Sequence, residues 1–191
     1  MTADKVRWGI LGVAKIAVEK VVPAMQKGTL SDITAIASRD LGKAQAAAKQ
    51  LNLPKAYGSY EELLADPEID AIYNPLPNHM HLEWTVKALE AGKHVVCEKP
   101  LATTVADAKR MASLAGEIPG IHQVAFTYRY LYGVRRLRQL VRQGEIGVPH
   151  YIRLQYDTWQ GLEQGFQIGF RDKMELAGGG VLFDVGSHLI D

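Results

Sequence analysis

The stretch Gly9-Ile10-Leu11-Gly12-Val13-Ala14-Lys15-Ile16-Ala17 decides the fold. It closes an apolar run, Val6 to Leu11, and opens a helical pattern from Lys15 to Gly28 that Pro23 kinks or divides. Aligned on Gly12, it reads Gly-x-Ala-x-x-Ala. A strand that turns through glycine into a helix leaves the first N–H groups of that helix free, and these attract a pyrophosphate. The usual dinucleotide fingerprint has glycine at all three positions, for the tight turn, the close approach of the phosphates and the helix–sheet packing. Alanine is the smallest replacement at the second and third positions. Gly12, Ala14, Lys15 and Ile16 are therefore candidate cofactor contacts. The plain alternative is an ordinary strand-turn-helix built from small residues.

Downstream, short apolar runs alternate with helical patterns. Strands are expected at Ile33 to Ala37, Lys55 to Tyr57, Ile69 to Tyr73, His94 to Cys97 and His122 to Phe126. Helices are expected at Leu41 to Leu51, Tyr60 to Ala65, Met80 to Ala91 and Thr104 to Gly116, with Gly92 as a C-cap and Thr103 or Thr104 as an N-cap. Such alternation implies parallel pairing through right-handed crossovers. The expected class is α/β, with residues 1–125 forming a Rossmann-type doubly wound sheet. The rhythm then changes. A helix at Gly133 to Arg142 is followed by a period-two run from Pro149 to Trp159 that reads as a strand of another kind of sheet. Residues 126–191 are expected to begin a second, mostly antiparallel α+β domain that stops short, because one strand and one helix cannot bury a sheet.

Bulk composition narrows the function classes. With 191 residues and a net charge of +1, the chain lacks the charge bias of a nucleic-acid or membrane binder. No long apolar run predicts a membrane span, and Met1 to Arg7 does not read as a secretory signal. The single cysteine, Cys97, reads as a core residue and permits no intrachain disulfide, so a reducing cytoplasm is the expected compartment. The helix bearing Arg135, Arg136, Arg138 and Arg142 reads as a solvated face. His79-Met80-His81 has metal-like spacing, but no third ligand follows it, so no metal is expected.

The end of the second strand bears on cofactor choice. An NAD site usually places a carboxylate there, on the ribose 2′-hydroxyl. Here the strand runs out in Ala37-Ser38-Arg39-Asp40. Ser38 can donate to a 2′-phosphate that a carboxylate would repel, and Arg39 can pair with it and stack on adenine. NADP(H) is the expected cofactor, ahead of NAD. The alternative is that Arg39 is a solvated charge while Asp40 caps the next helix.

Three further segments carry a family resemblance. They are Pro75-Leu76-Pro77-Asn78-His79-Met80-His81, Ala91-Gly92-Lys93-His94-Val95-Val96-Cys97-Glu98-Lys99-Pro100, and Gly178-Gly179-Gly180-Val181-Leu182-Phe183-Asp184-Val185-Gly186-Ser187-His188. Together, and in this order, they resemble the Gfo/Idh/MocA family of NAD(P)-dependent oxidoreductases over essentially the whole chain. Glu83-Trp84 and the Leu-Pro-Asn run look closest to its sugar and dihydrodiol dehydrogenase branch.

The resemblance implies roles. Lys99 matches a lysine essential for catalysis; from its place after a strand it can bind or protonate a carbonyl oxygen. Asp184 and His188, spaced i, i+4, match a pair beside the nicotinamide, with His188 as proton-transfer group and Asp184 as its orienting partner and a substrate ligand. The division of proton transfer between Lys99 and His188 stays open. Pro77, Asn78, His81, Glu98 and Arg171 fall where the family meets the cofactor, although Phe170 stands where its Trp-Arg pair often has tryptophan. Tyr128-Arg129 matches a Tyr-Arg after the last Rossmann strand, lining the site or bracing the domain junction. The expected activity is hydride transfer between NADP(H) and a carbonyl or alcohol carbon of a sugar, polyol or diol. The alternatives are a non-catalytic nucleotide-binding regulator and a fragment that only binds cofactor. The chain is expected to be a fragment of a longer protein, which would be a homo-oligomer.

Overall fold

The structure is a computed structural model that describes residues 5–157, 169 and 173–191. Six strands form one parallel sheet: β1 (Val6–Leu11), β2 (Ser31–Ala37), β3 (Lys55–Tyr57), β4 (Ala71–Asn74), β5 (His94–Cys97) and β6 (His122–Val124), in the order β3-β2-β1-β4-β5-β6. The order reverses at β1, which pairs with β2 on one side (Gly9 beside Ala35) and with β4 on the other (Gly9 beside Ile72). Connections from β1 to β2 and from β3 to β4 leave on opposite faces, so the loops part above the carboxyl ends of β1 and β4 and open a crevice there.

Alternation along the strands feeds two cores. Ile10, Ile36 and Tyr73 face one side and pack with Ala17, Val22, Ala47 and Leu51. Those residues come from α1 (Val22–Met25), the π-helical turn Ala17–Val21 that leads into it, and α2 (Leu41–Leu51). Pro23 sits in the first turn of α1, where no N–H is needed, so the helix is divided without being broken. Leu11, Ala35 and Ile72 face the other side, against α3 (Tyr60–Ala65) and α4 (His81–Glu90), with α5 (Val105–Glu117) beyond. Cys97 is buried there, and burial pushes its thiol up to about 12. Side-chain caps set three helix starts: Asp40 accepts from the Lys43 N–H at 3.2 Å, Ser59 from Glu62 and Thr104 from Asp107.

After β6 come a 3-10 turn (Thr127–Tyr130), α6 (Tyr132–Arg142), α7 (Met174–Ala177), a π-helical turn (Leu182–Gly186) and α8 (Ser187–Ile190). The strand expected at Pro149 to Trp159 is not formed over its described part, because residues 149–157 have no regular secondary structure. Tyr151, Ile152 and Leu154 are exposed, and no described strand lies alongside to complete a ladder. Among the described residues no helix is long and apolar enough to cross a membrane.

A carboxylate cluster ties the amino ends of the sheet together. Asp66 accepts from Lys55 Nζ at 2.8 Å, from the Tyr57 hydroxyl at 2.7 Å and from the Glu68 N–H at 2.8 Å. Asp70 accepts from the Arg7 guanidinium at 2.6 Å. Burial opposes the Asp66 charge, but the bonds from Lys55 and Tyr57 outweigh it and hold the carboxyl down to about 2; the Arg7 bond does the same for Asp70. An unfolded aspartate titrates near about 3.9. Both groups therefore stabilise the fold above about pH 4, and that contribution is lost as pH falls towards 2. Urea midpoints measured at pH 5 and pH 3 should show a marked loss in the wild type and a smaller one in Asp66→Asn, which starts less stable.

Candidate active site

The first glycine of the loop is required by geometry. Gly12 has φ +80°, and a Cβ built on it would lie 2.8 Å from Leu76 Cδ2. Its N–H donates to Ala37 O at 2.8 Å, which closes the turn against β2. The chain then enters the helical segment at residues 15–16, whose start faces a cleft of about 370 Å³. Gly12, Ala14, Lys15 and Ile16 line that cleft with Ser38, Arg39 and Pro77, so these seven expected residues meet in one place. Sequence reasoning missed other lining residues, Lys43 and Tyr60 among them. Lys43 stands in the first turn of α2, three residues after the cap Asp40, and that spacing was the available signal. Asp40 is taken up by the cap and is not among the residues lining the cleft. Three cations, Lys15, Arg39 and Lys43, thus line it.

A second cavity of about 340 Å³ shares Ile16, Pro75 and Leu76 with the first and is lined by the candidates Asn78, His81, Glu98, Lys99, Asp184 and His188. Glu98 and Lys99 enter from the end of β5. The Glu98 N–H donates to Asn74 O at 3.0 Å, and its Oε1 accepts from the Tyr73 hydroxyl at 2.7 Å. Burial, followed by the Glu98 charge, raises the Tyr73 pKa, so this hydroxyl is a permanent donor. Lys99 Nζ donates to Asp184 Oδ1 and to Asp184 O, each at 2.6 Å, with side-chain exposures of 13% and 26%. One ammonium thus joins the end of β5 to the turn Leu182–Gly186, which places Lys99, Asp184 and His188 around one cavity.

Asp184 does not orient His188 in the way its spacing suggested. Its carboxylate goes to Lys99, and His188 Nδ1 is buried without a hydrogen-bond partner. The His188 pKa is lowered, by burial first and then by the Lys99 charge, so the ring is neutral at pH 7. Tyr128, which lines the same cavity, lies flat against it.

Asn78 lines this cavity and also donates to Ala177 O at 3.0 Å, linking the loop after β4 to α7. His81, expected as a cofactor contact, is fully buried, and both ring nitrogens lie 2.7 Å from carbonyl oxygens: Nδ1 from Pro100, Nε2 from Leu76. His81 also lines the cavity, and its ring joins the two loops that wall it. Arg171 lies outside the described residues. No group of three or more His, Cys, Asp or Glu is placed to hold a metal among the described residues.

The model of an oxidoreductase family with an NAD-binding Rossmann fold matches residues 6–126, and a GFO/IDH/MocA C-terminal domain matches residues 134–191. An uncharacterized oxidoreductase of Rhizobium meliloti is 42% identical over 98% of this chain and 54% of its own length. A D-xylose 1-dehydrogenase (NADP(+)) of Haloferax volcanii is 38% identical over 96% of this chain and 54% of its own. The crystal structure of a 3-ketoreductase from Actinomadura kijaniata with NADP and TDP-benzene superposes with a TM-score of 0.79 at 30% identity, covering 98% of this chain and 56% of that one. The chain spans about half the length of the curated relatives it matches.

The buried imidazole of His81 gives a test that needs no assay of activity. His81→Leu leaves whichever of the Leu76 and Pro100 carbonyls takes the ring N–H without its donor, and an unpaired buried polar group costs about 1–3 kcal/mol. Urea unfolding should show a loss of that size, partly recovered in His81→Gln, which still donates. An unchanged midpoint in His81→Leu would mean the tie carries no stability.

Proposed function

The chain belongs to the GFO/IDH/MocA oxidoreductase family with an NAD-binding Rossmann fold, and from that premise we propose that it is an NADP(H)-preferring oxidoreductase. It moves a hydride between nicotinamide and a carbonyl or alcohol carbon of a sugar, polyol or related diol. In this reading residues 1–125 bind the cofactor and residues 126–191 belong to the substrate domain. The observation that carries it is the Lys99–Asp184 contact, which draws two segments 85 residues apart around one cavity with His188. The similarity to a D-xylose 1-dehydrogenase supports the substrate class.

The residues fit a dinucleotide. The positive φ of Gly12 and the start of the following helix suit a pyrophosphate, and the cations Lys15, Arg39 and Lys43 suit an additional phosphate on the ribose. Gly12, Ala14, Lys15, Ile16 and Pro77 would hold the phosphate and ribose end. Ser38, Arg39 and Lys43 would hold the 2′-phosphate. Asn78, Glu98 and Lys99 would flank the nicotinamide end. When bound, the nicotinamide supplies or accepts the hydride.

The chain's own groups handle the oxygen. As a carbonyl oxygen becomes an alkoxide, a fixed cation beside it stabilises the developing charge without reorganising. Lys99 is that cation, pinned by Asp184. In the oxidation direction the neutral His188 imidazole accepts the hydroxyl proton, and the imidazolium returns it in reduction. Asp184, besides holding Lys99, offers the substrate an acceptor.

Two outcomes test this. NADPH should bind more tightly than NADH in fluorescence titrations, and Arg39→Ala should narrow the gap by about 1–3 kcal/mol, the scale of a charge-assisted contact. Equal wild-type affinities would refute the assignment of Ser38 and Arg39. Lys99→Ala should abolish turnover on whichever aldose, polyol or diol reduces NADP⁺, while leaving cofactor binding largely intact. Retained turnover would show that His188 acts without the lysine.

A further inference from the structure

Hydrogen bonds leave the plane of the His188 ring unset. Its Nδ1 has no partner, and the Asp184 carboxylate is engaged by Lys99. The last torsion of a histidine is broad, so packing must choose the plane. Two aromatic rings supply that packing. Tyr128 lies parallel to the imidazole, with centroids 4.2 Å apart and planes 12° apart. Phe126 meets it edge-on, at 6.1 Å and 84°. Both rings come from the turn that follows β6, whereas His188 lies on α8.

A second pair holds the same two pieces together. Arg129 Nε donates to both carboxylate oxygens of Asp191, at 2.9 and 2.7 Å. Tyr128 on His188 and Arg129 on Asp191 therefore pin α8 to the turn at two successive points. The Tyr128 hydroxyl faces Tyr156, and burial together with that contact raises its pKa, so it stays protonated.

We propose that Tyr128 is the positioning residue of His188: the stack of the two rings fixes the imidazole plane in the cavity that also holds Lys99 and Asp184. This rests on the proton-transfer role proposed for His188. The Tyr-Arg pair at 128–129 then acts as a unit, the arginine holding α8 in place and the tyrosine setting its histidine.

The charged and titratable groups around His188 are Lys99 and Glu98 from the end of β5, Asp184 and Asp191 on its own segment, and the Tyr128 hydroxyl from the turn. Tyr128→Phe keeps the stack and removes only the hydroxyl. Tyr128→Ala removes the stack and admits water. The His188 ring is followed by NMR titration without substrate, its signal identified by its loss in His188→Asn. The midpoint should stay near the wild-type value in Tyr128→Phe and rise towards the ordinary value of about 6.5 in Tyr128→Ala. Turnover should fall by about tenfold to a hundredfold in the alanine variant, as expected for a misplaced proton carrier, and recover in the phenylalanine variant.

An alanine variant that binds NADPH and keeps the wild-type midpoint and pH–rate profile overturns the proposal. Where the alanine variant loses NADPH binding, Tyr128→Leu replaces it, with the same criteria. Because the titration needs no substrate, absence of turnover on every sugar and diol would count against the functional reading alone.

Discussion

Parallel strands joined by right-handed crossovers cannot all stack their helices on one face without burying the sheet on one side only. The chain resolves this by reversing its strand order at β1, and every candidate residue depends on that reversal. Where β1 and β4 lie side by side, their loops leave in opposite directions and open a gap at the top of the sheet. Gly12 turns out of β1 into this gap, and Pro75-Leu76-Pro77 turns out of β4 into it. Leu76 serves both clefts: it packs over Gly12 and gives its carbonyl to His81, so the cofactor turn and the Lys99-Pro100 turn share one wall.

The two clefts differ in electrostatic character because different parts of the chain build them. The first is framed by the starts of helices and by three cations, while the Asp40 carboxylate is spent on a cap. The charge of this cleft suits a phosphate group. The second pairs each charge with a partner: Glu98 with Tyr73, Lys99 with Asp184. Charges held in this way keep fixed positions when a polar, uncharged molecule displaces water, which suits a polyhydroxylated substrate more than an ionic one.

What could be read from the sequence was what is local. Strands, caps and the Gly12 turn depend on a few neighbouring residues, and their spans agree with the structure within a few positions. The cap at Asp40 and the small-residue turn were legible for that reason. The pairing of Asp184 was not. Helical spacing put it beside His188, but the lysine arriving from the end of β5 reaches its carboxylate at 2.6 Å, while burial lowers the pKa of the imidazole and weakens it as a partner. The tie made by His81 was not legible either: its ring lies between the carbonyls of Leu76 and Pro100, and Pro100 is 19 residues away in sequence. The period-two pattern at residues 149–157 describes which side chains would face a core, and pairing decides whether a strand forms.

Gly12 also bears on how far such a turn can drift in sequence. Its constraint is double, a left-handed backbone and a neighbouring methyl group where a Cβ would stand, and neither can be relieved separately. The positions of the other two fingerprint glycines are under no such demand. Ala17 is fully buried among the residues that join the first helix to the sheet, so its methyl group fills space that a glycine would leave empty. Ala14 borders the open cleft. The tolerance of the motif is therefore unequal: one position is fixed by stereochemistry, and two are held only to small size. Lineages can exchange glycine for alanine at those two positions while the turn itself persists.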